Sequence, residues 1–171
     1  TSDLASWRGQ ITLMDKNLAN GYDTLQKQYK TTVDYLKNKG ISEENIEEGT
    51  ISTSTKYLRD NKGHVTTQID TYTLKKSFTV ETSDVNLAKR LAKESTVLIR
   101  EGIGFQTYAP SYFFTKLEEL KLDLLEKAAA NSKLRAERLA KSAGNEVTGV
   151  VSASQGIFQI TKPNSTETSS W

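Results

Sequence analysis

Leu117, Leu120, Leu124 and Ala128, then after a polar turn Ala136, Leu139 and Ala143, recur at three- and four-residue steps. That spacing predicts one long helix with a single apolar stripe, and so demands a surface for the stripe to cover. Thr115 and Glu118 stand where a capping box would start it, the hydroxyl taking a free amide while the carboxylate reaches back. Alanines at 128, 136, 140 and 143 let the helix axis approach a sheet closely, and Leu124→Asp is expected to cost several kcal/mol by placing a charge on a buried stripe. Lys133, Arg135, Glu137, Arg138 and Lys141 form the solvated face, with Glu137 and Lys141 spaced for a helical ion pair. Gly144 ends the helix in the left-handed conformation. Val147, Val151 and Ala153 then alternate as in a strand, which Gly156 interrupts as a bulge before Ile157, Phe158 and Ile160.

Trp7, Gly9, Ile11 and Leu13 alternate with polar residues as a first strand that begins upstream of Trp7. Asn17 caps a helix carrying Leu18, Tyr22, Leu25, Tyr29, Val33 and Leu36, and Gly40 closes it. The tyrosines at this spacing read as core, since the ring can be buried while the hydroxyl stays wet. From Ile46 a second extended stretch alternates through Ile51, Thr53, Thr55 and Tyr57, rich in β-branched residues. Arg59 to Gly63 is a turn, and a return strand runs from about Val65 to Glu81 with Tyr72, Leu74, Phe78 and Val80 on one face. The outer halves of this hairpin carry too few large apolar residues to bury, so it is expected to project beyond the sheet. Ser83 caps a helix with Ala88, Leu91, Ala92, Ser95 and Leu98 inward, stopped by Gly102. Phe105 and Tyr108 make a short strand, and Tyr112, Phe113 and Phe114 lead to the long helix; the aromatics from Tyr108 to Phe114 either tuck their rings under that helix, the favoured reading, or form a contact surface.

A Leu-x-x-x-Gly-Ile corner occurs twice, at Leu36–Ile41 and at Leu98–Ile103. Duplication and shared helix-cap physics both explain it. The element order is β-α-β-β-α-β-α-β, which implies an α+β fold with helices packed on one face of a largely antiparallel sheet. Residues 1–161 read as a single domain and 162–171 as a polar loop.

A chain of 171 residues can bury a core without staples. With no cysteine it has no disulfide, thiolate zinc site or cysteine nucleophile. A net charge of +2 with signs mixed along the chain argues against nucleic-acid binding. No segment is long and apolar enough to span a bilayer; if the native protein is exported or anchored, the expectation is that a removed amino-terminal segment does it. The single histidine, His64, sits beside a turn glycine and excludes a two-histidine metal site. The carboxylate pairs Glu43-Glu44, Glu47-Glu48 and Glu118-Glu119 are sequence neighbours whose side chains point apart. Gly102 and Gly104 lack the Lys-Ser/Thr of a phosphate loop. Asn164-Ser165-Thr166 matches a glycosylation acceptor by pattern alone. The expectation is therefore no catalytic, cofactor or metal-binding residues, and no enzyme.

The corner Leu36–Ile41 with Asn45-Ile46 and Thr50, the Gly102-Ile103 corner, and Lys127-Ala128-Ala129 through Arg135-Ala136-Glu137-Arg138-Leu139-Ala140 to Gly144 resemble the SIMPL-domain family (DUF541). Ser152-Ala153-Ser154-Gln155-Gly156-Ile157-Phe158 is similar to its bacterial branch. The resemblance covers nearly the whole chain. It implies a periplasmic or cell-envelope protein, exported or anchored through a segment absent here, that forms homo-oligomers and has no established catalytic residues. Some members are linked to envelope or oxidative stress, and an animal relative is an adaptor for a signalling kinase. Members of the bacterial branch usually have a longer first strand and a further terminal strand, so either a sheet edge is left open or those pieces lie outside this chain. Two roles follow: self-association through sheet edges or the hairpin, or an adaptor or ligand-binding module that recognises another envelope protein through the outer face of helix 117–143.

Overall fold

The computed structural model describes residues 2–154 and 156. They fall into two compact units that divide after Thr115. In the first unit, β1 (Leu4–Asp15) leads to α1 (Leu18–Asn38), a 3-10 turn (Glu43–Asn45), β2 (Ile46–Arg59) and β3 (Val65–Thr82). Helices α2 (Val85–Glu94) and α3 (Val97–Arg100) and the short strands β4 (Phe105–Thr107) and β5 (Ser111–Phe113) complete it. The second unit contains α4 (Leu117–Ser142).

All the strand pairings are antiparallel, in the order β2-β3-β1-β4, with β5 beside β1 further along the edge that β4 occupies. The alternation in β1 buries Ala5, Trp7 and Ile11, and register sets them opposite Thr82, Val80 and Lys76. Helix α1 contributes Leu25 and Leu36, and the α2–α3 segment contributes Leu87, Leu91 and Leu98, to the same core as Trp7, Leu74 and Phe78. Apolar strand residues and helical stripes thus meet on one face of the sheet, as the sequence pattern implies for an α+β fold.

Helix starts follow short polar side chains. The Asn17 Oδ1 accepts from the Asn20 amide at 3.0 Å, as expected. For the next helix the cap is Asp84, not Ser83: its Oδ1 accepts from the Leu87 amide at 2.9 Å. The single helix expected up to Gly102 is divided at Ser95-Thr96.

Both Leu-x-x-x-Gly-Ile corners take one hydrogen-bond pattern. Gly40 and Gly102 have φ of 97° and 80°; Ile41 and Ile103 donate to the Leu36 and Leu98 carbonyls, each at 3.1 Å. This is a Schellman cap with its apolar contact, since all four Leu and Ile side chains are buried. Cap physics therefore accounts for the repeat. Gly144 ends α4 with the same bond, Asn145 to Ala140 at 2.9 Å, but without an apolar pair.

Several expectations for the second half are corrected. The capping box at Thr115 does not form: its amide and hydroxyl donate to Asp3 at 2.8 and 2.9 Å, and α4 begins with no side-chain cap. No residue of α4 is buried, and Leu124 is 37% exposed, so the stripe does not carry the penalty expected of Leu124→Asp. The region from Phe105 to Phe113 forms two short strands in place of one, and Tyr108, Tyr112, Phe113 and Phe114 are each more than a third exposed. Residues Val147 to Ala153 form no strand, and the continuation through Ile157, Phe158 and Ile160 lies outside the described residues, as does Asn164.

Candidate functional site

A groove of about 280 Å³ runs between the middle of α1 and the start of β2. Helix α1 supplies Tyr29, Lys30, Val33, Asp34 and Lys37; the 3-10 turn supplies Glu43; β2 supplies Ile46 and Glu48. Beside it lies the least expected side chain of the fold. Lys76 is 1% exposed on the inner face of β3, between Leu74 and Phe78. A buried ammonium is tolerated only when its protons are taken up. Here Glu48 Oε1 contacts the Lys76 Nζ, Gln26 Oε1 accepts from it at 3.0 Å, and the Tyr29 ring centroid lies 4.1 Å away.

The Tyr29 hydroxyl is pushed up to about 12, first by burial and then by the negative charges of Glu48 and Glu43. It stays neutral at ordinary pH and is a poor base or nucleophile. Lys37 closes on Glu43 at the other end of the groove. Three carboxylates that are not sequence neighbours thus line one groove: Glu43 and Glu48, each already held by a lysine, and Asp34. Among the described residues no cluster of three or more histidine, aspartate or glutamate side chains is placed to hold a metal.

The asymmetry of the Lys76 pair makes a test. Glu48→Ala should lower stability by about 1–3 kcal/mol in urea unfolding, because a buried charge loses its counterion. Lys76→Met should be neutral or stabilising by up to about 4 kcal/mol, since an apolar chain of similar length replaces the ion and the half-exposed Glu48 returns to water.

The other residues singled out by sequence do not join the groove. His64 lies at the tip of the hairpin, its Nδ1 3.2 Å from Asp60 Oδ2. Asp60 organises that turn: its Oδ1 accepts from the Lys62 and His64 amides, both at 2.8 Å. These bonds hold the Asp60 carboxyl below the ordinary carboxylate value, the His64 amide contributing most. A depressed pKa stabilises the turn above the unfolded value, and this is lost as pH falls through the folded one. The protection of the Lys62 and His64 amides, measured against their intrinsic exchange at each pH, should therefore fall on acidification below the usual carboxylate range, and Asp60→Asn should flatten that response. Glu118 pairs with Lys121 at 2.7 Å and Glu47 is exposed on β2, so the adjacent carboxylates remain apart. Gly104 serves packing: its carbonyl accepts from the Thr12 amide at 2.8 Å. Helix α4 carries Lys133, Arg135, Arg138 and Lys141 with no buried residue, and among the described residues no helix is long and apolar enough to cross a membrane.

Sequence comparison supplies what groove chemistry does not. The family model for SIMPL, described as a protein of unknown function (DUF541), matches residues 1–170. The chain belongs to the SIMPL family. No match was found among curated proteins. In this SIMPL chain the groove and Lys76 were missed by sequence reading, although a signal existed. Tyr72, Leu74, Phe78 and Val80 share one parity in β3, and position 76 falls in the gap between them.

Proposed function

We propose that this SIMPL protein is a non-enzymatic, self-associating component of the bacterial cell envelope, with the β2–β3 hairpin as its contact element. One observation carries the self-association: every residue from Ser52 to Asp60 is exposed, although the hairpin includes Tyr57, Leu58, Val65 and Ile69. A long exposed edge strand with apolar side chains calls for a partner. The envelope location rests on the resemblance to the bacterial branch and extends to a role in envelope or oxidative stress. Molar mass by light scattering tests the reading: the protein forms a defined multimer, and deletion of residues 56–66 returns it to monomer. A multimer that survives the deletion unchanged removes the hairpin from the assembly.

A second reading is favoured by α4, whose side chains are all at least partly exposed. In it the outer face of 117–143 recognises another envelope protein. Reversing Arg135 and Arg138 to glutamate then weakens capture of that protein without lowering the melting temperature. An unchanged set of captured proteins counts against it.

A further inference from the structure

β2 has β3 on one side, and no strand among the described residues lies on the other. Proteins usually blunt such an edge with proline, charge, bulges or a cover. β2 contains no proline, and its register against β3 is uninterrupted from Ile51 opposite Lys76 to Lys56 opposite Thr71. That stretch, Ile-Ser-Thr-Ser-Thr, is uncharged until Lys56 and rich in β-branched residues. Over these six residues it is an open row of backbone donors and acceptors, bounded by register shifts between Glu48 and Ile51 and again after Lys56.

Charge is distributed unevenly about it. Glu43, Glu44, Glu47 and Glu48 precede the stretch, whereas Lys56, Arg59 and Lys62 end it or follow it. Some of these are already used: Glu43 by Lys37, Glu48 by Lys76, and Lys56 by Asp70 at 2.9 Å. Among the described residues Glu44, Glu47, Arg59 and Lys62 have no ion-pair partner, and the Arg59 guanidinium donates only to the Gly63 carbonyl, at 2.8 Å. The unused acids lie before Thr53 and the unused bases after it, at matching sequence distances.

We propose that β2 pairs antiparallel with β2 of a second copy of this chain, across a two-fold axis at Thr53. The proposal rests on the self-association reading and specifies its geometry. With Thr53 opposite its counterpart, equal sequence distances bring Glu47 near Arg59 of the second copy and Glu44 near its Lys62, beyond the register shifts that bound the regular stretch. Each pair occurs twice because the interface is isologous. Parallel pairing in register instead sets glutamate against glutamate and arginine against arginine, which is unfavourable.

The absence of cysteine makes the test clean. Thr53→Cys brings two thiols to opposite positions of an antiparallel pair, where Cα atoms roughly 4.5–5.5 Å apart lie within disulfide reach. Asn61→Cys, at the hairpin tip, lies roughly 50 Å from its counterpart by strand rise. Mild oxidation of the full chain should convert Thr53→Cys into a covalent dimer on non-reducing gels and leave Asn61→Cys monomeric. Light scattering of the unmodified chain, run in parallel, separates the two levels of the idea. A monomeric mass overturns self-association and the pairing with it. A multimer in which Thr53→Cys cross-links no better than Asn61→Cys leaves self-association standing and overturns the edge pairing. In a folded Glu47→Arg variant, dimer dissociation should strengthen roughly tenfold, and adding Arg59→Glu should restore wild-type dimerisation. Failure of the double exchange to restore it overturns the proposed register.

Discussion

Trp7→Ala lowers the unfolding free energy by about 3–5 kcal/mol, the range for removing a large aromatic from a packed core. Trp7 is fully buried, sits edge-on to Phe78 with ring centroids 5.8 Å apart, and lies 6.3 Å from Phe105. Its indole N–H donates to Thr107 Oγ1 at 3.0 Å, which ties the centre of β1 to β4. Alanine therefore removes three supports together: apolar burial, the ring contacts, and a part-buried hydrogen bond. Trp7→Phe retains much of the burial and should recover more than half of the loss. Urea unfolding of both variants checks this, and a Trp7→Ala midpoint close to wild type would mean that the aromatic cluster is not the core.

The second large effect arises from a close backbone approach. A Cβ on Gly104 would lie 2.1 Å from the Thr12 carbonyl oxygen, and backbone atoms on both sides cannot swing aside as a flexible side chain can. Gly104→Ala should cost about 1–3 kcal/mol, the range for overpacking, and push β4 away from β1. β4 has only three residues to hold it, and the first, Phe105, packs in the core. Exchange of the Thr12 amide, which donates to Gly104, should accelerate in this variant. Unchanged exchange would show that the strand can absorb a methyl group.

These two sites also show what the sequence revealed. Trp7 was legible because β1 alternates apolar and polar residues against one core, so parity alone turns Trp7 and Ile11 inward. The hairpin was legible for a similar reason, with Arg59 to Gly63 as its turn and the return strand placed within a residue of its observed end. Gly104 could be read only as lacking the company of a phosphate loop, because its real role depends on a strand more than ninety residues away in sequence. The α4 stripe misled for a different reason: periodicity states which residues share a face, but not that the face is covered. Thr115 likewise had the right local pattern for a cap, and a carboxylate distant in sequence, Asp3, took its hydrogen bonds instead. The groove was illegible as a unit because it joins α1, a 3-10 turn and an edge strand. The charge of Lys76 obscured its place in the inward-facing series of β3.

Buried as it is, the Lys76 amine also makes a chemical clock. Acylating reagents modify exposed lysines of the native protein readily but reach a side chain that is 1% exposed only when the structure opens around it. Its protecting partners are on α1 and β2, so the rate at which Lys76 is acylated, read by peptide mass, reports how often that corner of the domain separates. One residue then reports the open population of that corner in the intact molecule, or its opening rate where reagent outpaces reclosing, without a label having to be introduced.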